Sequence, residues 1–199
     1  MKLKETYQDI IWSACYEGEK TDVFSRLFKN WIDTEFVSEF IFKNQRFLND
    51  NLHFAGYSVK DVIMNANREA RSFRGLFEMY YNNQINKKHP NLDDMFIFLN
   101  KKRLDGKDDL KRKMYGHPPN RNLMTSVLRL YAVKVPSGKK NEPPAYIITG
   151  GGIKLSDSMP EMKELNKEYT RIELVQDWLE QHKITNKEQL IEYQKNAEQ

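Results

Sequence analysis

Two β-forming runs flank one stretch that cannot continue a strand, and no other part of the chain restricts the fold as much. The first run, Val127-Leu128-Arg129-Leu130-Tyr131-Ala132-Val133-Lys134-Val135, is rich in β-branched and aromatic side chains. Pro136-Ser137-Gly138-Lys139-Lys140-Asn141-Glu142-Pro143-Pro144 interrupts it, and Ala145-Tyr146-Ile147-Ile148-Thr149 resumes the β pattern. An interruption of nine residues leaves no room for a crossover helix, so 126–135 and 145–155 are expected as adjacent antiparallel strands, the central hairpin of a sheet. Side-chain alternation puts Leu128, Leu130 and Ala132 on one wholly apolar face and Val127, Arg129, Tyr131 and Val133 on the other. An arginine in the middle of a strand must find a partner, reach the rim or serve a ligand.

With 199 residues, 39% of them hydrophobic, the chain can bury a substantial core as one large domain or two small ones. No run is long and apolar enough to span a bilayer, and the N-terminal MKLKETYQDIIWSACYEGEK lacks the hydrophobic centre of a signal peptide. The chain is therefore expected to be cytoplasmic, with no membrane partner. Cys15 is the single cysteine, which excludes an intramolecular disulfide and a cysteine cluster for zinc. His53, His89, His117 and His182 show no metal-ligand spacing, and neither a metal nor a cofactor is expected.

Charge is unevenly distributed. Residues 1–100 hold 13 Lys and Arg against 14 Asp and Glu, and residues 122–199 hold 11 against 11. Residues 101–121, KKRLDGKDDLKRKMYGHPPNR, hold 8 against 3, so the positive excess sits immediately before the hairpin. A charge run is usually a solvated surface, but Tyr115, His117 and Pro118-Pro119 suit a nucleic-acid-facing loop. Its candidate phosphate contacts are Lys101, Lys102, Arg103, Lys111, Arg112, Lys113, Tyr115 and Arg121.

The remainder reads as helical. Thr6 to Tyr16 is expected to form a first amphipathic helix with Ile10, Ile11 and Ala14 inward. A second begins at Thr21 or Asp22 and turns Phe24, Leu27, Phe28, Trp31 and Ile32 to one face, with a break near Thr34; Phe36, Phe40, Ile41 and Phe42 continue the core pattern. Ser58 with Asp61 opens the longest helix, whose inward stripe runs from Val59 to Tyr80 or Tyr81 through Ala66, Ala70, Phe73 and Phe77. Arg68, Arg71 and Arg74 lie on its other side, Arg74 within reach of Glu78. Asn91 to Asp94 caps a short helix through Met95, Phe96 and Leu99. Beyond the hairpin, Ser158/Glu161, Thr170/Glu173 and Thr185/Glu188 each have capping-box spacing, and Ile172, Leu174, Val175, Trp178 and Leu179 form one apolar face. Thr149-Gly150-Gly151-Gly152 lacks the residues of a phosphate loop and reads as a bulge or a close approach of backbone or ligand. The carboxylates of 157–180 show no acid/base pairing.

SVLRLYAVKV followed by AYIITGGGIKL resembles the closing strands of the RelE/ParE/HigB-like toxin superfamily, in which an arginine-bearing strand pairs with a final hydrophobic strand ending in a glycine and a basic residue. KRKMYGH is similar in position and character to the lysine-rich region before that arginine strand. The resemblance covers about residues 110–164. It matches Arg129 to the strand arginine, Lys154 to the basic residue beyond the last strand, and Lys111 and Lys113 to the preceding lysines. The fold expected is α+β: a small, mostly antiparallel sheet around the hairpin of about 126–155, as the resemblance implies, with a helical N-terminal half and a helical C-terminus by which this chain departs from that family. In domains, residues 1–100 form the helical region and 101–199 the sheet region, packed as one unit.

The activity it implies is cleavage of mRNA without a metal, on free RNA or on a translating ribosome, with an antitoxin or other protein as a further partner. Such cleavage needs a base for the 2′-hydroxyl, an acid for the leaving oxygen and fixed cations against the phosphorane. The fork of Arg129 suits the last role, Lys154 with Lys111 or Lys113 adds charge, and His117, Tyr131 or Tyr115 can move protons. Two other readings fit the same residues: a non-catalytic module of that fold binding nucleic acid or protein, and an accessory protein of a mobile element whose helical half binds a partner helix.

Overall fold

A computed structural model describes residues 1–82, 92–99, 110–115, 125–156 and 163–197. The expected hairpin is present: β5 (Leu128–Val135) and β6 (Ala145–Ile153) run antiparallel with Leu128 opposite Ile153 and Val135 opposite Ala145. Between Tyr131 and Ala132 the register slips, because β6 carries an extra residue at Thr149 just before its glycines.

The chain opens otherwise than expected. Thr6–Tyr16 is not a helix: β1 (Lys2–Tyr7) and β2 (Ile11–Cys15) form an antiparallel hairpin whose turn places Asp9 at φ 57°. Ile10, Ile11 and Ala14 do have helical spacing, but a helix would leave Trp12 on its outer side. As a strand covered on both faces, β2 buries Ile11, Trp12, Ser13 and Ala14 together. β2 then runs parallel to β6, with Ile11 opposite Tyr146 and Ser13 opposite Ile148.

The helical stretch that follows is organised by its caps. Asp22 accepts the Ser25 amide at 2.9 Å to begin α1 (Val23–Ile32), and Asp33 accepts the Glu35 amide at 2.9 Å to begin α2 (Thr34–Lys43). α3 (Gln45–Asp50) and one 3-10 turn lead to α4 (Val59–Tyr81), which starts with the Ser58/Asp61 capping box. Of the apolar run in α2, only part is core: Val37 and Ile41 are buried and Phe40 partly so, whereas Phe36 and Phe42 are exposed. α4 buries Val62, Ala66, Ala70, Phe73 and Phe77 as expected, but also Asn65 and Glu69. Arg74 pairs with Glu78 at 3.0 Å.

α5 (Leu92–Met95) is shorter than expected, because Ile97–Phe98 leaves the helical path to pair as β3 with β4 (Lys111–Tyr115). Residues 111–115, read from charge as part of a loop, are thus a strand. The order across the sheet is β1-β2-β6-β5-β4-β3, antiparallel except for β2 and β6. Among the described residues this is an α+β fold with a mostly antiparallel mixed sheet and helices at both ends.

Helices cover both faces of the sheet. On one side the aromatic rings of Phe24, Phe28 and Trp31 from α1 meet Phe73 and Phe77 from α4, and Phe96 stacks on Tyr146 of β6 at 4.3 Å. On the other side lies α6 (Lys163–Gln181). A Cβ on Gly150 would come within 2.7 Å of the Glu168 carbonyl of α6, and one on Gly151 within 2.6 Å of the Arg129 carbonyl. Close approach of main chain on opposite sides of β6 thus accounts for these two glycines.

Thr170 begins no helix, since it lies inside α6 with its hydroxyl donating to the Lys167 carbonyl at 2.9 Å. Leu174, expected inward, is exposed. α7 (Lys187–Ala197) is capped by Asn186, which accepts the Gln189 amide at 3.0 Å. Glu188 instead holds the turn of the central hairpin, accepting from Ser137 Oγ at 3.0 Å and the Gly138 amide at 2.8 Å. The Ser158/Glu161 pair and most of the 82–90 connection lie outside the described residues. Among those described, no helix is long and apolar enough to cross a membrane.

Candidate functional site

The register of β4 against β5 decides which of the basic residues share a face. Lys111 is opposite Val133, Lys113 opposite Tyr131 and Tyr115 opposite Arg129. Directly opposed residues point to the same side of a sheet, so Lys111, Lys113, Tyr115, Arg129 and Tyr131 lie together on the face that α6 packs against. The Lys154 amide donates to the Val127 carbonyl at 2.7 Å and extends the pairing past β6. Alternation then carries Lys154 to the Arg129 side as well.

Arg112 goes the other way. It is opposite Ala132, on the face of α1 and α4, where it is buried with its guanidinium 4.2 Å above the Phe98 ring. As a phosphate contact it is therefore separated from Lys111 and Lys113 by the thickness of the sheet. His117, Lys101, Lys102, Arg103 and Arg121 lie outside the described residues.

Arg129 is 9% exposed, and its Nη1 donates to the Ser126 carbonyl at 2.7 Å, the Leu128 carbonyl at 2.8 Å and the Ser126 hydroxyl at 3.3 Å. Its guanidinium also sits 4.1 Å over the Tyr115 ring. Burial pulls the Arg129 pKa below its ordinary value, while Tyr115, Tyr131 and Glu69 oppose that shift by favouring the charge. Tyr131 is fully buried, with the Tyr169 ring of α6 edge-on at 6.5 Å. Burial pushes its hydroxyl well above the ordinary tyrosine value, partly countered by Arg129, so at neutral pH it holds its proton and is a poor base. Lys111 pairs with Glu173 of α6 at 3.6 Å, and the Lys113 ammonium stands 5.8 Å from the centre of the Tyr115 ring.

A residue the pattern alone did not single out organises this region. Glu69 of α4, 1% exposed, accepts from Asn65 Nδ2 at 2.6 Å, Ser126 Oγ at 2.9 Å, the Val127 amide at 3.1 Å and the Leu128 amide at 2.8 Å. Ser126 thus stands between the Glu69 carboxylate and the Arg129 guanidinium. The signal available in sequence was an amide and a carboxylate four positions apart beside the apolar stripe of α4, which helical spacing aims at the sheet. Among the described residues no cluster of His, Cys, Asp or Glu could hold a metal ion.

No family model matches the chain, and no curated protein or solved structure matches it either.

Proposed function

We propose that the chain is a toxin-like, metal-independent endoribonuclease directed at mRNA, working from the face of β4 and β5 that carries Lys111, Lys113, Tyr115, Arg129 and Tyr131. The observation that carries this reading is the register, which puts Tyr115 beside Arg129 and Lys113 beside Tyr131. Cations and phenols side by side on rigid strands are the groups with which phosphodiester cleavage proceeds without a metal. Arg129 would hold the phosphate charge, Lys113 and Lys154 would add to it, and Tyr115, the less buried of the two phenols, is better placed than Tyr131 to exchange a proton. RNA reaches Tyr131 and Lys111 only if α6 moves aside, since Tyr169 and Glu173 cover them, whereas Lys113 and Tyr115 are half-buried.

That cover favours a second reading. With Arg129 bonded to main-chain carbonyls and Tyr131 fully buried, both can serve the fold alone, in a non-catalytic module that binds nucleic acid or protein. Incubating the purified chain with a defined mRNA, alone and on translating ribosomes without added metal, separates the two. Under the first reading the RNA is cut, and Lys113→Gln or Arg129→Lys lowers the rate by roughly two orders of magnitude, with thermal unfolding confirming that each variant is folded. RNA bound but uncut in both settings selects the second reading. RNA neither bound nor cut removes RNA as the partner.

A further inference from the structure

We propose that the cavity between α1, α2, α6 and the outer edge of β6 is a nucleotide site, taking an aromatic base with its phosphate. The proposal is independent of RNA cleavage on the opposite edge of β6. β2 pairs with β6 only at Tyr146, Ile147 and Ile148, so past Ile148 no described strand flanks β6 on that side. The space left open is about 430 Å³, within the range of small-molecule sites. Gly150 and Gly151 are glycines because α6 and the Arg129 carbonyl crowd them, but Gly152 is half-buried and lines this space. Gly151 and Gly152 therefore present bare main chain to whatever enters.

The walls are aromatic and the rim is cationic. Trp31, Phe36 and Phe40 line one side, and Phe36 is 37% exposed although it belongs to a helix with a buried face. The peptide groups of Gly151 to Ile153 and the Asn30 side chain supply hydrogen-bonding groups that a base edge can satisfy and a hydrocarbon chain cannot. Stacking of a base on an aromatic ring tolerates every base identity.

The charge balance then calls for an anion. Glu168 and Glu19 are matched by Arg26 and Arg171, with Arg26 at 3.1 Å and Arg171 at 3.2 Å from Glu168, and both arginines paired with Glu19. Lys43 and Lys167 line the same cavity, are exposed, and make no ion pair among the described residues. Two uncompensated ammonium groups at the mouth of an aromatic-walled space fit a phosphate attached to a planar ring.

Titration of the ¹⁵N-labelled chain with AMP, GMP, CMP and UMP tests this, with adenosine and inorganic phosphate as half-ligands. Saturable shifts of the Gly151 and Gly152 amides are expected with at least one monophosphate, and weaker binding with either half-ligand. The double variant Lys43→Ala/Lys167→Ala should weaken binding about tenfold, and Phe36→Ala about fivefold, a loss near the low end for one stacked base. These side chains are exposed, so the variants keep the fold. The proposal is overturned if no monophosphate gives saturable shifts by about 5 mM, if phosphate alone binds as well, or if the double variant binds unchanged.

Discussion

Two carboxylates grip the central hairpin from opposite faces, and they are held in different ways. Glu69, from α4, meets the start of β5 through two main-chain amides and one hydroxyl, accepts a side-chain amide from Asn65, and favours the charge on Arg129. Glu168, from α6, meets the middle of β6 with two arginines and the Gly151 amide at 3.3 Å. Fixed dipoles of the main chain cannot follow a lost acceptor, so Glu69 specifies where the strand begins. Long cationic side chains can turn to water, so Glu168 joins two surfaces without fixing either.

Removing each carboxylate tests that contrast most directly. Glu69→Ala leaves the amides of Val127 and Leu128 and the Ser126 hydroxyl buried without their acceptor, at about 1–3 kcal/mol for each such group. Urea denaturation should show a loss of roughly 3–5 kcal/mol, the range for breaking a buried charged network; a loss below about 1 kcal/mol would erase the distinction. Glu168→Ala should lose less, about 1–3 kcal/mol, because both arginines keep Glu19 as a partner. Added salt should narrow the gap between wild type and Glu168→Ala while leaving the Glu69→Ala gap intact.

A smaller effect concerns pH on the Glu168 side. Burial pushes the Tyr16 hydroxyl well above its ordinary value; Arg171 draws it back, and Glu168 and Glu19 add to the rise. In the folded chain that hydroxyl donates to the Thr149 carbonyl at 2.8 Å. A pKa raised on folding contributes stability that is complete below the unfolded value near 10 and is lost as pH rises through the alkaline range toward the folded one. Tyr16→Phe should therefore flatten the fall of stability above about pH 10, read from urea midpoints; an unchanged slope would mean that Tyr16 ionises equally in both states.

The elements legible in the sequence were those whose causes are local. Asp22 and Ser58 announce α1 and α4 because a cap bonds within three residues, and the hairpin is legible because prolines and glycine separate two β-rich runs. The first strands were not, because Ile10, Ile11 and Ala14 satisfy a helical period equally well and only the distant β6 decides the matter. The basic segment shows the same limit. Charge located Lys111, Arg112 and Lys113, but their division between two faces depends on pairing with β5. Arg129 and Tyr131 were visible as a polar pair on one face, whereas their burial, that of Tyr131 against Tyr169 of α6, and the anchoring of Ser126 by Glu69 are tertiary facts with no local signature.

The parallel seating of β2 against β6 also sets an order of events at the ribosome. Tyr16 and the Thr149 carbonyl it bonds are 133 residues apart in the chain. The hairpin of β1 and β2 is therefore made well before β6 and finds its place only after it. Throughout synthesis of the helical half, its outer edge waits without the strand that will cover it. Closing so long a loop is slow, since its entropy must be lost before the contacts form. Until β6 emerges, the nascent chain carries the unpaired edge of β2, a segment open to capture by a chaperone or by another copy of itself.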